Sequence, residues 1–381
     1  MKVKFGDVVK DVKSNVDRAN NPYEFYVAGD HMDTEDFRIH RRGSFATDDV
    51  GPAFVRIFHP GQVLYGSRRT YLKKVCVADF DGICANTTFV LETKDEGVLT
   101  QRLLPFLMLS DGFTDWSIKH SKGSTNPYIL FSDLANYEFS LPPIDRQREL
   151  ADLLWAANDL KEAYKKAISD TDEMLKAKFR EMFGDESAVR QTAKINLLKA
   201  GECKNGLNFA SNESGHTVKC VGVSDFSDDG KLVDLSKVAF VSVSEMPSKT
   251  MMLHDKDFVF VRSNGNKALV GRCKMVMPGQ DKVTFGGFCI RYRLAEKRIL
   301  HDWLAYFLRS DKVRQSLQGR GAGGSIHNLS RSILSQIDVP VFPLPLQGEF
   351  VAIAEAAEET KAALKRSLGN LEQVMKGVIN G

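Results

Sequence analysis

The chain has 381 residues, of which 43% are hydrophobic, and its formal net charge is +3. This length predicts two or three domains with sizeable cores, and the small excess of positive charge means that any nucleic-acid binding must come from local basic patches. No stretch of about 18 apolar residues and no apolar leader are present, so we expect a cytoplasmic protein that does not bind a membrane.

The first segment, residues 1–142, predicts a mixed α and β structure. Residues 99–110 place apolar side chains on one side of a helical projection and indicate a helix. Short runs rich in β-branched and aromatic residues, separated by Gly, Pro and Asp, indicate strands over 53–58, 62–65, 74–78 and 87–92. We therefore predict an α+β domain for this segment.

Residues 143–184 predict one long helix. Pro142 and Pro143 mark its beginning, because proline fits the first turn of a helix and disrupts its interior. Apolar residues then recur at alternating steps of three and four, which places them on one face as a heptad seam. The seam positions are Leu150, Leu153, Ala157, Leu160, Tyr164, Ile168, Thr171 and Leu175.

The second half of the chain repeats the first at an offset of 200 residues, as Pro143 and Pro343 illustrate. Residues 185–342 show the same order of strands before a helix near His301, and residues 343–381 predict a second long helix. The same offset gives a second seam of equal phase at Phe350, Ile353, Ala357, Thr360, Leu364, Leu368, Leu371 and Met375. Two matched apolar stripes predict that the helices pack together as a coiled coil. Duplicated scaffolds with divergent loops suit two readers of different sequences.

With this arrangement the chain resembles the specificity subunits of type I restriction-modification systems. Gln147 and Gln347 match a glutamine of that family at the start of each conserved helix, whereas Arg146 and Leu346 stand where glutamate is common. The resemblance covers essentially the whole chain and implies an α+β fold in which two repeated α/β target-recognition domains are separated and connected by two long antiparallel coiled-coil helices. The expected domains are target-recognition domains at 1–142 and 185–342 and conserved helices at 143–184 and 343–381.

Matched basic and polar loops, one after a strand in each domain, are the candidate DNA-binding sites. Arginine can bridge O6 and N7 of guanine, asparagine can bridge N6 and N7 of adenine, and lysine favours phosphates. For any single residue, the alternative is an ordinary exposed loop. The candidates in or directly after these loops are Arg68, Arg69, Tyr71, Lys73, Lys74, Arg262, Asn264, Asn266, Lys267 and Arg272. Second candidates are Lys119 and, in the paired loops around Gly123 and Gly323, Lys122, Arg320, Asn328 and Arg331.

The resemblance implies a non-catalytic subunit that binds double-stranded DNA, with each recognition domain reading one half of an asymmetric two-part site. It also implies two modification (methyltransferase) subunits, which bind S-adenosylmethionine, and restriction (endonuclease) subunits, which use ATP and Mg²⁺. We expect no cofactor or metal site in this chain itself. The candidate contacts with the modification subunits, which the recognition domains could instead cover, are Tyr164, Leu175, Phe179, Met182, Val374 and Met375.

Three alternatives remain open from the sequence. A specificity subunit of a type II restriction-modification system would show the same repeat, and a scaffold without a DNA role would share the architecture. An intrinsic Mg²⁺-dependent nuclease is a different class, for which Asp81, Glu92 and Lys94 offer the carboxylates and the lysine of a metal site. The six cysteines are scattered without a C-x-x-C pair, and we expect them to be buried free thiols.

Overall fold

The computed structural model describes residues 1–184, 192–209, 215–226, 230–317 and 327–381. They form two compact units, which we call unit 1 (residues 1–167 and 364–381) and unit 2 (residues 168–363). Two long helices, the central helix Ile144–Phe183 and the C-terminal helix Leu344–Asn380, each contribute to both units. No helix of the described residues has the length and apolar character needed to cross a membrane.

Unit 1 contains two four-stranded sheets. The first is antiparallel throughout and has the order Val9–Asp11, Thr88–Thr93, Val63–Gly66, Val75–Val77. The second has the order Gly43–Ser44, Phe25–Val27, Gly82–Ala85, Phe54–Phe58, with its two middle strands parallel. Strand Lys2–Lys4 pairs with Glu138–Ser140, which leads into the central helix. The short α-helices are Phe5–Val8, Leu104–Met108, Asp111–Lys119 and Phe131–Leu134, and the 3₁₀ turns are Arg18–Asn20 and Thr70–Leu72.

Unit 2 contains a five-stranded sheet, a three-stranded sheet and two strand pairs. The five-stranded sheet has the order Gly201–Asn205, Cys289–Leu294, Asp257–Val261, Cys273–Val276, Gly230–Leu232. The three-stranded sheet has the order Phe240–Val243, His216–Val221, Val283–Phe285, with the last pair parallel. The strand pairs are Lys194–Asn196 with Asp338–Pro340 and Ser263–Asn264 with His327–Asn328. The short α-helices are Leu197–Ala200, His301–Arg309, Asp311–Leu317 and Arg331–Leu334, and the 3₁₀ turns are Val223–Asp225 and Lys249–Met251.

The topology of unit 2 repeats that of unit 1. The first four strands of the five-stranded sheet follow the order of the antiparallel sheet of unit 1, with every neighbouring pair antiparallel in both. The three-stranded sheet repeats an antiparallel pair followed by a parallel pair. In both units a strand near the start of the repeat also pairs with the strand that precedes a long helix. The sequence repeat therefore corresponds to a repeated fold.

Two buried glutamines attach the long helices to the units in the same way. Gln147 donates from Nε2 to the carbonyls of Val98 (2.9 Å) and Pro142 (3.0 Å) and accepts from the Thr100 N–H (3.2 Å). Gln347 makes the corresponding bonds to residues 298, 342 and 300, at 2.8, 2.7 and 2.8 Å. Every partner in unit 2 lies 200 residues after its counterpart. Because a buried amide must satisfy its hydrogen bonds, glutamine at this position fixes where each helix begins.

In each unit the beginning of one long helix packs against the end of the other. In unit 1, Ala151 and Leu154 of the central helix share a core with Met375 near the end of the C-terminal helix. In unit 2, Leu175 and Phe183, near the end of the central helix, share a core with residues from Phe350 to Ala357, near the beginning of the C-terminal helix. The two helices are therefore antiparallel, as predicted.

The predicted heptad seam is wrong for part of the central helix. Leu153 and Leu160 are 57% and 44% exposed. The neighbouring stripe is buried instead, and it includes the polar residue Asn158 and Lys161, whose Nζ donates to the carbonyl of Glu35 at 3.0 Å. Lys161 can be buried in this stripe because its ammonium has a hydrogen-bond acceptor, which the apolar pattern of the sequence does not reveal.

Candidate nucleic-acid interface

In unit 1 three segments meet where strand Val63–Gly66 ends. The Ser67 N–H and hydroxyl both donate to the Thr87 carbonyl, at 3.1 and 2.6 Å. The Ile129 N–H donates to the Ser67 carbonyl at 2.9 Å, and the Arg69 N–H donates to Pro127 at 2.6 Å. We call residues 67–69, 87 and 127–129 the first joint. Its main chain holds the loop that begins at Arg68 in one position.

In unit 2 the equivalent segments meet where strand Asp257–Val261 ends. The Arg262 N–H donates to the Phe288 carbonyl at 2.7 Å, and the Leu329 N–H donates to the Arg262 carbonyl at 2.7 Å. Ser263 then pairs with Asn328 across a short antiparallel ladder. We call residues 262–264, 288 and 327–329 the second joint.

The matching main-chain hydrogen bonds align the two joints residue by residue. They align Ser67 with Arg262, Thr87 with Phe288 and Ile129 with Leu329. The bridge between Arg68 and Tyr128 likewise corresponds to the pairing of Ser263 with Asn328. The side chains differ in size or charge at four of these five positions. The two units thus present different chemical groups on one backbone frame.

The predicted residues of unit 1 fall into two groups. Arg68, Arg69 and Tyr71 are exposed at the first joint or directly after it. Lys73 pairs with Glu35 at 2.8 Å, and Lys74 donates to the Gly29 carbonyl, so both ammonium groups already have partners within the unit.

Two further candidates of unit 1 lie on the adjoining hairpin and helix. Lys122 exchanges main-chain hydrogen bonds with Tyr128 of the first joint, at 2.7 and 2.9 Å, and its ammonium pairs with Asp133 at 2.9 Å. Lys119 is the last residue of helix Asp111–Lys119 and is exposed. The structure therefore brings Lys122 to the joint and places Lys119 on the helix before it.

In unit 2 the polar loop after the joint is shaped by its own side chains. The Asn264 carboxamide oxygen accepts from the Asn266 N–H at 2.7 Å, and that of Asn266 accepts from the Ala268 N–H at 3.0 Å. Lys267, which lies between Asn266 and Ala268, is exposed. Arg272 donates to the Phe226 carbonyl at 2.8 Å, a contact that stabilises the fold. Arg320 lies outside the described residues.

A cavity of about 390 Å³ opens beside the second joint. Arg262 and Arg331 line it together with Asn205, Asn328 and Ser330, and its apolar wall comes from Cys203, Ile290, Leu329 and Leu334. Burial raises the pKa of the Cys203 thiol to about 11 despite the opposing effect of Arg331, so the wall stays uncharged at neutral pH. Two guanidinium groups and three polar side chains beside an apolar wall suit a phosphate and its sugar.

The residues proposed for an intrinsic nuclease make separate structural contacts. Glu92 accepts from Gln62 at 2.6 Å and pairs with Lys10 at 2.9 Å, Asp81 pairs with His59 at 2.6 Å, and Lys94 donates to the Gly6 carbonyl. The strand alignment places Arg293 of unit 2 at the position of Glu92. There Arg293 bonds Asp257, the counterpart of Gln62, at 2.6 and 2.7 Å. Both pairs link adjacent strands, and the nuclease alternative is not supported.

Among the described residues, one group of three potential metal ligands lies within 4.8 Å, formed by Asp36, His40 and Glu162. The Lys165 ammonium lies 3.3 Å from the Asp36 carboxylate and 2.9 Å from that of Glu162. This lysine already supplies the positive charge that a cation would bring. The group is therefore an ion-pair network of unit 1 that connects its loop to the central helix.

The predicted partner-binding residues differ in accessibility. Leu175 and Met375 are buried in the cores of their own units, and Phe179 and Met182 pack against the core of unit 2. The Phe179 ring lies 5.1 Å from that of Phe350. Tyr164 is half-buried, whereas Val374 is 63% exposed. Packing within the units therefore accounts for four of the six residues, and Leu153 and Leu160, which the prediction placed inside a seam, are accessible instead.

Comparison with protein families gives a match in the first half of the chain. Residues 6–170 match the family described as type I restriction modification DNA specificity domain. This part of the chain is similar to that family. The matched region includes the first joint and residues 144–170 of the central helix.

Two curated relatives are also named as specificity subunits of type I restriction enzymes. Over 200 residues, 51% of this chain and 43% of the relative, the sequence is 24% identical to the type I restriction enzyme EcoDI specificity subunit of Escherichia coli. Over 142 residues, 37% of this chain and 29% of the relative, it is 27% identical to the StySPI specificity subunit of Salmonella potsdam. The chain spans less than half the length of these relatives in either match.

Solved structures agree in fold over the whole chain. A chain from a study of complex assembly and conformational transition of a type I restriction-modification system matches with a TM-score of 0.60 and 19% identity, covering 100% of this chain and 96% of that one. The specificity subunit of a type I system from M. genitalium matches with a TM-score of 0.57 and 14% identity, covering 100% and 94%. These matches confirm the predicted fold class.

Proposed function

We propose that this chain is the DNA-recognition subunit of a type I restriction-modification complex and that each unit reads one half of a two-part, asymmetric site. The observation that carries this proposal is the pair of joints, in which one main-chain frame presents different side chains. A reader needs a fixed frame because base edges are distinguished by hydrogen bonds of defined geometry. Different side chains on that frame would read different bases.

Within each joint we assign different tasks to different residues. Arg68 and Arg69 of unit 1 and Asn264 of unit 2 are exposed or half-exposed at the frame and would face base edges. Arg262 and Arg331, which line the cavity, would hold a backbone phosphate with its sugar on the apolar wall. Lys73 and Lys74, which have partners in the unit, would act through the local charge of the loop.

We further propose that two modification subunits dock on the long helices and perform the chemistry. They would bind S-adenosylmethionine and methylate one adenine in each half-site, and restriction subunits using ATP and Mg²⁺ would join them, so that this chain needs no catalytic group. Leu153 and Leu160 lie seven residues apart on one face of the central helix and are 57% and 44% exposed. Exposed leucines at heptad spacing suit a helix from a partner.

Methylation mapping tests the recognition role. The chain would be co-expressed with the methyltransferase encoded beside it in a host without adenine methylation, and N6-methyladenine would be located by long-read sequencing. We expect a two-part asymmetric motif, and exchange of residues 1–142 for another recognition domain should change one half of it. Methylation without a defined motif, despite a co-purifying partner, would contradict the proposal.

Replacement of the exposed leucines tests the docking role. We expect the double variant Leu153→Glu and Leu160→Glu to lose the co-purifying methyltransferase while its unfolding transition stays close to wild type, because substitutions at exposed positions change stability by about 0.5 kcal/mol or less. Ile118→Glu is the matched control, since Ile118 is 44% exposed on another helix of unit 1. A double variant that retains the partner as well as this control does would refute docking through this face.

A further inference from the structure

Phe288 is a large aromatic residue held in solvent on a fixed backbone. It is 67% exposed, although its carbonyl accepts hydrogen bonds from the Arg262 N–H at 2.7 Å and the Ser263 N–H at 3.4 Å. Phe288 lies in a turn that is closed by a hydrogen bond from the Cys289 N–H to the Gly286 carbonyl at 2.8 Å. A Cβ on Gly287 would lie 1.9 Å from the Asn208 side chain and 3.3 Å from the Leu207 carbonyl oxygen, so the segment beside Phe288 packs closely against residues 207–208. The backbone is ordered by its surroundings while the ring is left uncovered.

The two joints place their aromatic rings on different segments. Where unit 2 has Phe288, unit 1 has Thr87, and where unit 2 has Asn328, unit 1 has Tyr128, which is 39% exposed. Each joint thus carries one exposed ring next to the residues that are proposed to contact DNA. The two units share the backbone frame, but the exposed ring lies on a different segment in each.

We propose that Phe288 packs its ring against a nucleobase of the half-site read by unit 2 and that Tyr128 does the same in unit 1. Aromatic rings pack on base faces or thymine methyl groups, or enter a base step as a wedge. Charge supports this ligand, because Arg262 lies in the same joint and, with Arg331, would hold the phosphate of the neighbouring nucleotide. This inference rests on the proposed function and adds two contact residues that differ between the half-sites.

The experiment compares two phenylalanines of equal exposure. The full chain, in complex with its methyltransferase, would carry Phe288→Ala, Phe288→Trp or Phe240→Ala, and binding to a duplex with the mapped site would be measured by fluorescence anisotropy. Phe240 is 66% exposed but lies on strand Phe240–Val243 of another sheet, so it is the matched control. We expect Phe288→Ala to weaken binding by roughly 5- to 150-fold, the range for loss of one base–aromatic contact. Phe288→Trp should bind close to wild type, and Phe240→Ala should bind like wild type.

The salt dependence and the site preference separate a base contact from a loss of charge or of folding. The slope of binding constant against salt concentration should be the same for Phe288→Ala and wild type, because no phosphate contact is removed. Base changes in the second half-site should cost Phe288→Ala less than wild type, and Tyr128→Ala should show this effect at the first half-site only. Unchanged tryptophan fluorescence of the free chain, from Trp303 for the Phe288 variants of unit 2 and from Trp155 for Tyr128→Ala of unit 1, checks that the variants fold.

The outcomes distinguish this inference from the proposed function. Wild-type protein that shows no preference for any duplex would overturn the proposed function and this inference with it. Specific binding by wild type together with equal affinities for Phe288→Ala and Phe240→Ala would overturn the inference alone. A Phe288→Ala variant that loses affinity equally for specific and unrelated DNA would also overturn it, because the proposed contact is to a base of the half-site.

Discussion

The two joints share their main-chain hydrogen bonds and differ in their side chains. In unit 1 the frame presents Arg68 and Tyr128, and in unit 2 it presents Arg262 and Phe288 at other positions of the same frame. Because the bonds that hold each joint come from the main chain, its side chains can change at little cost in stability. The proposed recognition is therefore separable from folding at these positions.

The interior of the units shows the opposite relation. Gln62 with Glu92 in unit 1 and Asp257 with Arg293 in unit 2 occupy equivalent positions, and both Gln62 and Asp257 also accept from a main-chain N–H, of His59 at 2.7 Å and of His254 at 2.8 Å. Here the two side chains change together and the contact is kept. A buried polar pair can be replaced only by another satisfied pair.

The largest expected difference between the units is in the unfolding free energy lost when one side chain of each pair is truncated. Asp257→Ala should lower the free energy of unfolding of unit 2 by on the order of 3 kcal/mol, because it leaves the half-buried Arg293 without its carboxylate. Gln62→Ala should cost unit 1 only about 1 kcal/mol, because Glu92 keeps Lys10 as a partner. Urea unfolding would be followed by the fluorescence of Trp303 in unit 2 and of Trp155 in unit 1, each as the single tryptophan. Equal losses would show that the two pairs are energetically interchangeable.

The sequence predicted the elements with strong local signals. The long helices at 143–184 and 343–381 agree closely with Ile144–Phe183 and Leu344–Asn380, because prolines mark their beginnings and an uninterrupted apolar period continues through them. The predicted helix over 99–110 is shorter in the structure, Leu104–Met108, since Pro105 begins a new first turn.

The sequence did not reveal which residues of the loops meet. Ser67, Thr87 and Ile129 come together through main-chain hydrogen bonds, which carry no signature in side-chain type. Gly286 and Gly287, directly before Phe288, signal a turn and a close approach, but they do not show which segments meet there. The buried lysine Lys161 was missed for a related reason, since its hydrogen bond goes to a distant carbonyl.

Replacement of one arginine in each joint should separate base reading from phosphate contact. Arg68→Ala should weaken binding by about 1–3 kcal/mol and only through the first half-site, whereas Arg262→Ala, which removes the proposed phosphate contact, should weaken binding to all duplexes about equally and reduce the salt slope by about 1. Affinity would be measured for duplexes in which one half-site is randomised. Arg298→Ala is the control, because Arg298 is an exposed residue of unit 2 that pairs with Glu296. A loss for Arg262→Ala that depends on the sequence of the second half-site would mean that this arginine reads a base instead of holding a phosphate.

The smallest expected effect concerns acid stability of unit 1. Burial by itself raises the pKa of Asp36, but the Arg38 N–H, Lys165 and His40 together lower it below its usual value of 3.8. The ionised carboxylate therefore stabilises unit 1 above about pH 4, and this contribution disappears as the pH falls through the lowered pKa. Since burial offsets much of the effect of these contacts on the pKa of Asp36, the difference should stay below about 1 kcal/mol.

Asp36→Asn isolates that contribution from the other carboxylates of the chain. The difference in unfolding free energy between wild type and Asp36→Asn, followed through Trp155, should be constant from pH 7 to about pH 5 and shrink below about pH 4. Unit 2 provides the comparison, because Lys231 and Lys256, opposing burial, likewise lower the pKa of Asp302. Asp302→Asn should therefore give the same pH dependence when Trp303 is followed. A difference that stays constant down to pH 3 would show that the carboxylate of Asp36 titrates alike in the folded and unfolded chain.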